Sequence, residues 1–111
     1  MGYCRAVVAG KHVYLAGTAP IPRDGSAPSE DAYEQTRLCF DIIGEALERA
    51  GASLEDIVRT RIFLTDPAHF DGVARAHGDL LREVRPVNTT VVTSLMDPAW
   101  KVEIEVEAVL P

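Results

Sequence analysis

The clearest pattern along the chain lies near its end, where apolar and polar side chains alternate one for one. Val102, Ile104, Val106, Ala108 and Leu110 share one parity; Lys101, Glu103, Glu105, Glu107 and Val109 share the other. A period of two marks a half-buried strand. It predicts a central strand over residues 101–110, with an aliphatic face on a core and three carboxylates on the opposite face. Residues 87–95 are β-rich and predict another strand, joined to the last by a turn at 96–99 containing Pro98.

Elsewhere the pattern switches between the two periodicities. Residues 3–9 and 12–17 read as short strands around a Gly10-Lys11 turn. Three prolines and Asp24-Gly25 make 18–28 a surface loop. Residues 31–50 carry the strongest helical stripe: Leu38, Cys39, Ile42, Ile43, Ala46, Leu47 and Ala50. Asp31 and Glu34 offer a capping box at its start and Gly51 a stop at its end. Residues 53–56 read as a single turn entering a strand at 57–65. That strand puts Val58, Thr60, Ile62 and Leu64 on one face and Ile57, Arg59, Arg61 and Phe63 on the other. Asp66-Pro67 then opens a second helix with the stripe Phe70, Val73, Ala74, His77, Leu80, Leu81 and Val84. The order β-β-α-β-α-β-β predicts an α+β fold, a single sheet with both helices on one face.

Composition narrows this little. The 111 residues fit one domain, 1–111, with 47% hydrophobic and 25% charged residues. No apolar run approaches the ~18 residues of a membrane span, and MGYCRAVVAGK is not patterned as a secretory signal. Gly2 is followed by Ala6 where a myristoylation signal wants Ser or Thr. A cytoplasmic protein is therefore expected. The net charge of −6 disfavours a nucleic-acid partner. Cys4 and Cys39 lack metal or redox spacing, and no set of His, Cys and acidic residues has ligand spacing, so neither a metal nor another cofactor is expected. If the strands at 57–65 and 101–110 are neighbours, Arg59 and Arg61 pair with the glutamate row. A charged face of that kind, bordered by Phe63 and Val109, reads as an oligomer surface.

Several strings, taken in order, resemble the Rid/YjgF family of small trimeric proteins. They are Tyr3-Cys4-Arg5-Ala6-Val7, Val13-Tyr14-Leu15-Ala16-Gly17-Thr18-Ala19-Pro20, the segment from Ala50 to Val58 (AGASLEDIV), Phe63-Leu64-Thr65-Asp66, and the ending KVEIEVEA from Lys101 to Ala108. The resemblance spans essentially the whole chain. It implies a chorismate-mutase-like fold assembled as a homotrimer, with the sheets inside, the helices outside and clefts between subunits. It also implies hydrolysis of reactive imines or enamines to a carbonyl compound and ammonia. In that chemistry an arginine holds the substrate carboxylate and a glutamate positions water.

Residue by residue, the glutamate matches Glu103. The arginine position, third in the family's P-x-R, is occupied by Asn88 in Pro86-Val87-Asn88. An amide has no charge and cannot replace a bidentate guanidinium clamp, whose loss costs roughly 2–5 kcal/mol of binding in a buried site. Arg85 precedes the proline and is offset from the strand position. The resemblance implies a divergent member of the family acting on a small imine-type or related intermediate by hydrolysis, deamination or tautomerisation, or else a non-catalytic trimeric binding protein. Catalysis falls to Glu103. Substrate binding falls to Asn88, Thr90, Gly17, Thr18, Tyr3 and His77. Most of these have a plainer reading as well: Glu103 as one carboxylate in a solvated or ion-paired row, His77 as a core or interface histidine, Tyr3 as a packing residue, Asn88 as an edge-polar or turn asparagine, and the threonines as structural hydroxyls.

Overall fold

A computed structural model describes residues 1–111. Its strands are β1 (Ala6–Ala9), β2 (His12–Thr18), β3 (Ile57–Leu64), β4 (Val87–Val92) and β5 (Val102–Val109); its helices are α1 (Ala32–Arg49) and α2 (Phe70–Leu81). The five strands form one mixed sheet in the order β1-β2-β5-β3-β4. The alternating strand at the end of the chain is thus the middle strand, antiparallel to β2 on one side and to β3 on the other. Its aliphatic face, Val102, Ile104, Val106 and Ala108, is sealed under the helices.

α1 forms where its stripe predicts and supplies Cys39, Ile43, Ala46 and Leu47 of that stripe to the core. Phe40, left off the stripe, is buried with them, while Leu38 and Ile42 are only half-buried. The Asp31 carboxylate accepts from the Glu34 amide at 3.2 Å, while the Asp31 amide donates to Ser29 Oγ at 3.1 Å, so only half of the predicted capping box forms. Gly51 adopts φ +93° and ends the helix in the left-handed conformation that glycine tolerates. Gln35, almost fully buried, donates to Ser29 O and Ala99 O and accepts from the Lys101 amide. It fixes the approach to β5.

Several boundaries and faces depart from the sequence pattern. The turn at 96–99 joins strands that do not pair: β4 lies on the far side of β3 and runs parallel to it, with α2 as the crossover. β4 also stops at Val92, and β1 begins only at Ala6. A register shift between Ile57 and Arg59 buries Ile57 and exposes Val58, the reverse of strict alternation. The second helix starts with a 3-10 turn, Pro67–His69, capped by Asp66, whose carboxylate accepts from the Ala68 amide at 2.8 Å. Phe70 and Ala74, placed on its stripe by spacing, are exposed, and Ala76 is buried instead.

Candidate functional site

The open face of the sheet carries the charge ladder. Arg59 pairs with Glu107 across β3 and β5, at 3.5 Å, and Arg61 pairs with Glu105. The third rung is different. Glu103 stands opposite Phe63, with no cation within ion-pair distance and no hydrogen bond to its carboxylate. Of the three glutamates on β5 it is the one left free.

A bulge in β2 decides what Glu103 touches. Leu15 is in register with Val106 and Thr18 with Ile104, so two residues, Ala16 and Gly17, oppose the single residue Glu105. The Glu103 side chain lies across the space that a Cβ on Gly17 would occupy, its Cδ 3.3 Å from that point. Only glycine leaves room for the carboxylate there. Together they border a hollow of about 290 Å³, closed by Phe63, Glu105 and the segment 93–96.

Thr18, fully buried, donates to Ala16 O at 3.0 Å and accepts from Arg5 Nη1 at 2.8 Å. The same nitrogen of Arg5 lies 3.4 Å from Gly17 O. Arg5 is the residue that sequence reasoning missed. It sits inside the Tyr3–Val7 string, but nothing in spacing announces that it reaches the bulge. Tyr3 is exposed.

Asn88 and Thr90 stand elsewhere. Asn88 is in register with Thr60 and Thr90 with Ile62, which places both on the helix-side face. Glu103 is on the other face, so a single chain does not bring Asn88 and Glu103 together. Asn88 instead joins a polar relay. Thr90 Oγ1 donates to Asn88 Oδ1 at 2.8 Å, Asn88 Nδ2 donates to Thr60 Oγ1 at 2.9 Å, and Thr60 Oγ1 lies 2.9 Å from His77 Nε2. The Thr60 hydroxyl accepts from Asn88 and still has its proton to donate when His77 Nε2 is unprotonated. Burial against Phe40, which meets the imidazole edge-on at 5.9 Å, pushes the His77 pKa down and favours that neutral form. Burial, followed by the negative charge of Glu103, pushes the Cys39 thiol up and keeps it protonated. Arg85 adopts φ +55° just beyond α2 and is exposed.

Comparison with known proteins agrees with this fold. The family model described as Endoribonuclease L-PSP matches residues 1–110. An uncharacterized protein of Streptomyces coelicolor is 41% identical over 96% of this chain and 81% of its own length. The mitochondrial protein Mmf2 of Schizosaccharomyces pombe is 35% identical over 93% of this chain and 83% of its own. The crystal structure of a Mycobacterium tuberculosis protein of the YjgF family superposes with a TM-score of 0.88 at 38% identity, covering 98% of this chain and 87% of that one. No helix here is long and apolar enough to cross a membrane. With the alternating β5 in the middle of the sheet and these matches along its length, the chain belongs to the Rid/YjgF family.

Proposed function

We propose that the protein is a Rid-type enzyme that hydrolyses a small reactive imine or enamine in clefts between the copies of a homotrimer. The observation that carries this reading is the free carboxylate of Glu103 laid over Gly17. A carboxylate without a cation partner is available as a base, and its two ladder neighbours are not. In this chemistry Glu103 takes a proton from water as the oxygen adds to the imine carbon. That proton passes to nitrogen to give a carbinolamine. The carbinolamine hydroxyl then gives up its proton, which also reaches nitrogen, the C–N bond breaks as C=O forms, and ammonia leaves behind a carbonyl compound.

What the open face carries supports assembly with further copies. Val7, Tyr14, Val87 and Val91 border the Arg–Glu ladder and are 40–59% exposed in one chain. A face of that composition favours contact with further copies. Because Asn88 and Thr90 occupy the other face near the β4 edge, they join Glu103 only if a neighbouring copy presents that edge. Gly17 and Thr18 then contribute backbone groups, Tyr3 closes the cleft, and His77 holds Asn88 through Thr60. An RNA substrate fits less well, since the net charge is −6 and the two arginines of the open face are already paired.

The amide at Asn88 makes a substrate without a carboxylate the better match. Purified protein should hydrolyse 2-iminopropionate far more slowly than imines lacking the acid group; rapid turnover of 2-iminopropionate would overturn the assignment of Asn88. The Glu103→Gln variant separates enzyme from binder. It should lower turnover by ~10²–10⁴-fold with the assembly intact; an unchanged rate would end the case for Glu103. Sedimentation showing a monomer at micromolar concentration would remove the clefts.

A further inference from the structure

A second site lies away from Glu103, at the corner where β1, the bulge of β2 and the end of α1 meet. Two adjoining hollows of about 390 and 400 Å³ share Arg5, Ala46 and Arg49. Their floors are apolar: Ala6, Val8 and Ala50 in one, Ala19, Ile21 and Ile42 in the other. Each is within the size range of small-molecule sites. In a chain of net charge −6, this corner carries three guanidinium groups. One of them, Arg23, is neutralised by Glu45, the only carboxylate in either wall.

Arg5 and Arg49 have no such partner, since no carboxylate lies within ion-pair distance of either. The negative end of α1 accounts for Arg49. It does not account for Arg5, which belongs to another element and is held from behind by Thr18 Oγ1 and Gly17 O. Those bonds use one nitrogen of the fork, and the rest of the guanidinium is left to bind something else. Arg5 therefore keeps an unneutralised charge beside the Arg49 guanidinium over one apolar floor, and an anion between the two would relieve their repulsion.

We infer that this corner binds a small organic oxyanion, a carboxylate or phosphate monoester on a short apolar chain. The headgroup is held between Arg5 and Arg49, and the chain lies along Ala46. A fixed, planar fork favours a bidentate oxyanion over a simple halide. The apolar floor favours an alkyl-bearing acid over inorganic phosphate. Nothing in this assignment uses Glu103 or an intersubunit cleft, so it stands or falls separately from the proposed hydrolysis.

The test is an NMR titration of the full chain with hexanoate, hexyl phosphate, inorganic phosphate and hexan-1-ol. Saturable shifts should appear at the amides of residues 5, 18, 46 and 49 with the two alkyl anions, and not with the alcohol. Arg49→Gln removes one cation without touching the Thr18 hydrogen bond, and should weaken binding by about tenfold to a hundredfold. Arg5→Lys keeps the charge but loses the fork, and should fall between Arg49→Gln and the parent. The tighter of the two alkyl anions identifies the headgroup. Absence of saturable shifts, equal binding of hexan-1-ol, or unchanged affinity in Arg49→Gln with its helix intact would each overturn the assignment.

Discussion

Replacing Gly17 by alanine should disarm Glu103 without unfolding the protein. A Cβ at that position falls inside 3.0 Å of the Glu103 carboxylate, whereas ordinary contacts begin at 3.4 Å. To reach an ordinary contact the carboxylate oxygen must retreat by about 1 Å. What has to move is the end of a flexible side chain, and Gly17 has no positive φ to strain. Stability should therefore change by no more than ~1 kcal/mol, with the reduced freedom of the unfolded chain acting in favour of alanine. Activity is far more sensitive, because a misplacement of ~1 Å can cost ~10²-fold. A loss of about tenfold or more is expected on whichever imine the wild type turns over. Denaturant titration gives the stability, and a 13C spectrum or crystal structure gives the position of the carboxylate. Combining the change with Glu103→Gln supplies the control: if Gly17 acts through Glu103, the double variant should be little slower than Glu103→Gln alone. Full activity in Gly17→Ala with a displaced carboxylate would refute the reasoning.

Other consequences are as direct. Thr60→Val leaves His77 Nε2 without its partner and Asn88 Nδ2 with only the Thr60 carbonyl, and should cost ~1–3 kcal/mol in a urea titration; a neutral effect would mean the relay does not hold the β4 edge. Because the His77 pKa is lowered on folding, its contribution to stability is complete above its ordinary value of 6.5 and is lost as pH falls from there towards the lowered value. Urea midpoints at pH 7.5 and 5.5 should differ more for wild type than for His77→Asn, and parallel profiles would contradict the burial of the imidazole. Cys4 is exposed and Cys39 buried, so a disulfide reagent should titrate one thiol per native chain and the second only in denaturant; two fast thiols would show that the α1 face opens.

The parts of the fold that sequence revealed are those where one periodicity runs unbroken. β5 alternates without a flaw, and the salt bridges of Arg59 and Arg61 follow from that alternation once β3 is its neighbour. The extent of α1 and its stop at Gly51 were equally plain, although the stripe left out Phe40. Periodicity names faces, however, and not neighbours. Nothing in 87–92 distinguishes a strand paired with β5 from one laid parallel to β3, and that choice decides which face Asn88 occupies. Bulges are similarly silent. The extra residue at Ala16-Gly17 puts Glu103 against Gly17, and the shift at Ile57 inverts the burial of Val58. Arg5 was hidden for a related reason, since its role depends on a hydrogen bond to a residue 13 positions away.

The position of β5 also bears on how the chain is made. During synthesis β1 and β2 leave the ribosome early, and β3, α2 and β4 follow, but the sheet order gives these two groups no shared edge. Within the sheet, only Val102–Val109 can join them. Until that strand emerges each group exposes an open strand edge, a condition in which partly made chains are prone to associate wrongly. A nascent chain stalled before Val102–Val109 has left the ribosome should therefore remain protease-sensitive. Release of the last strand should convert it in a single cooperative step.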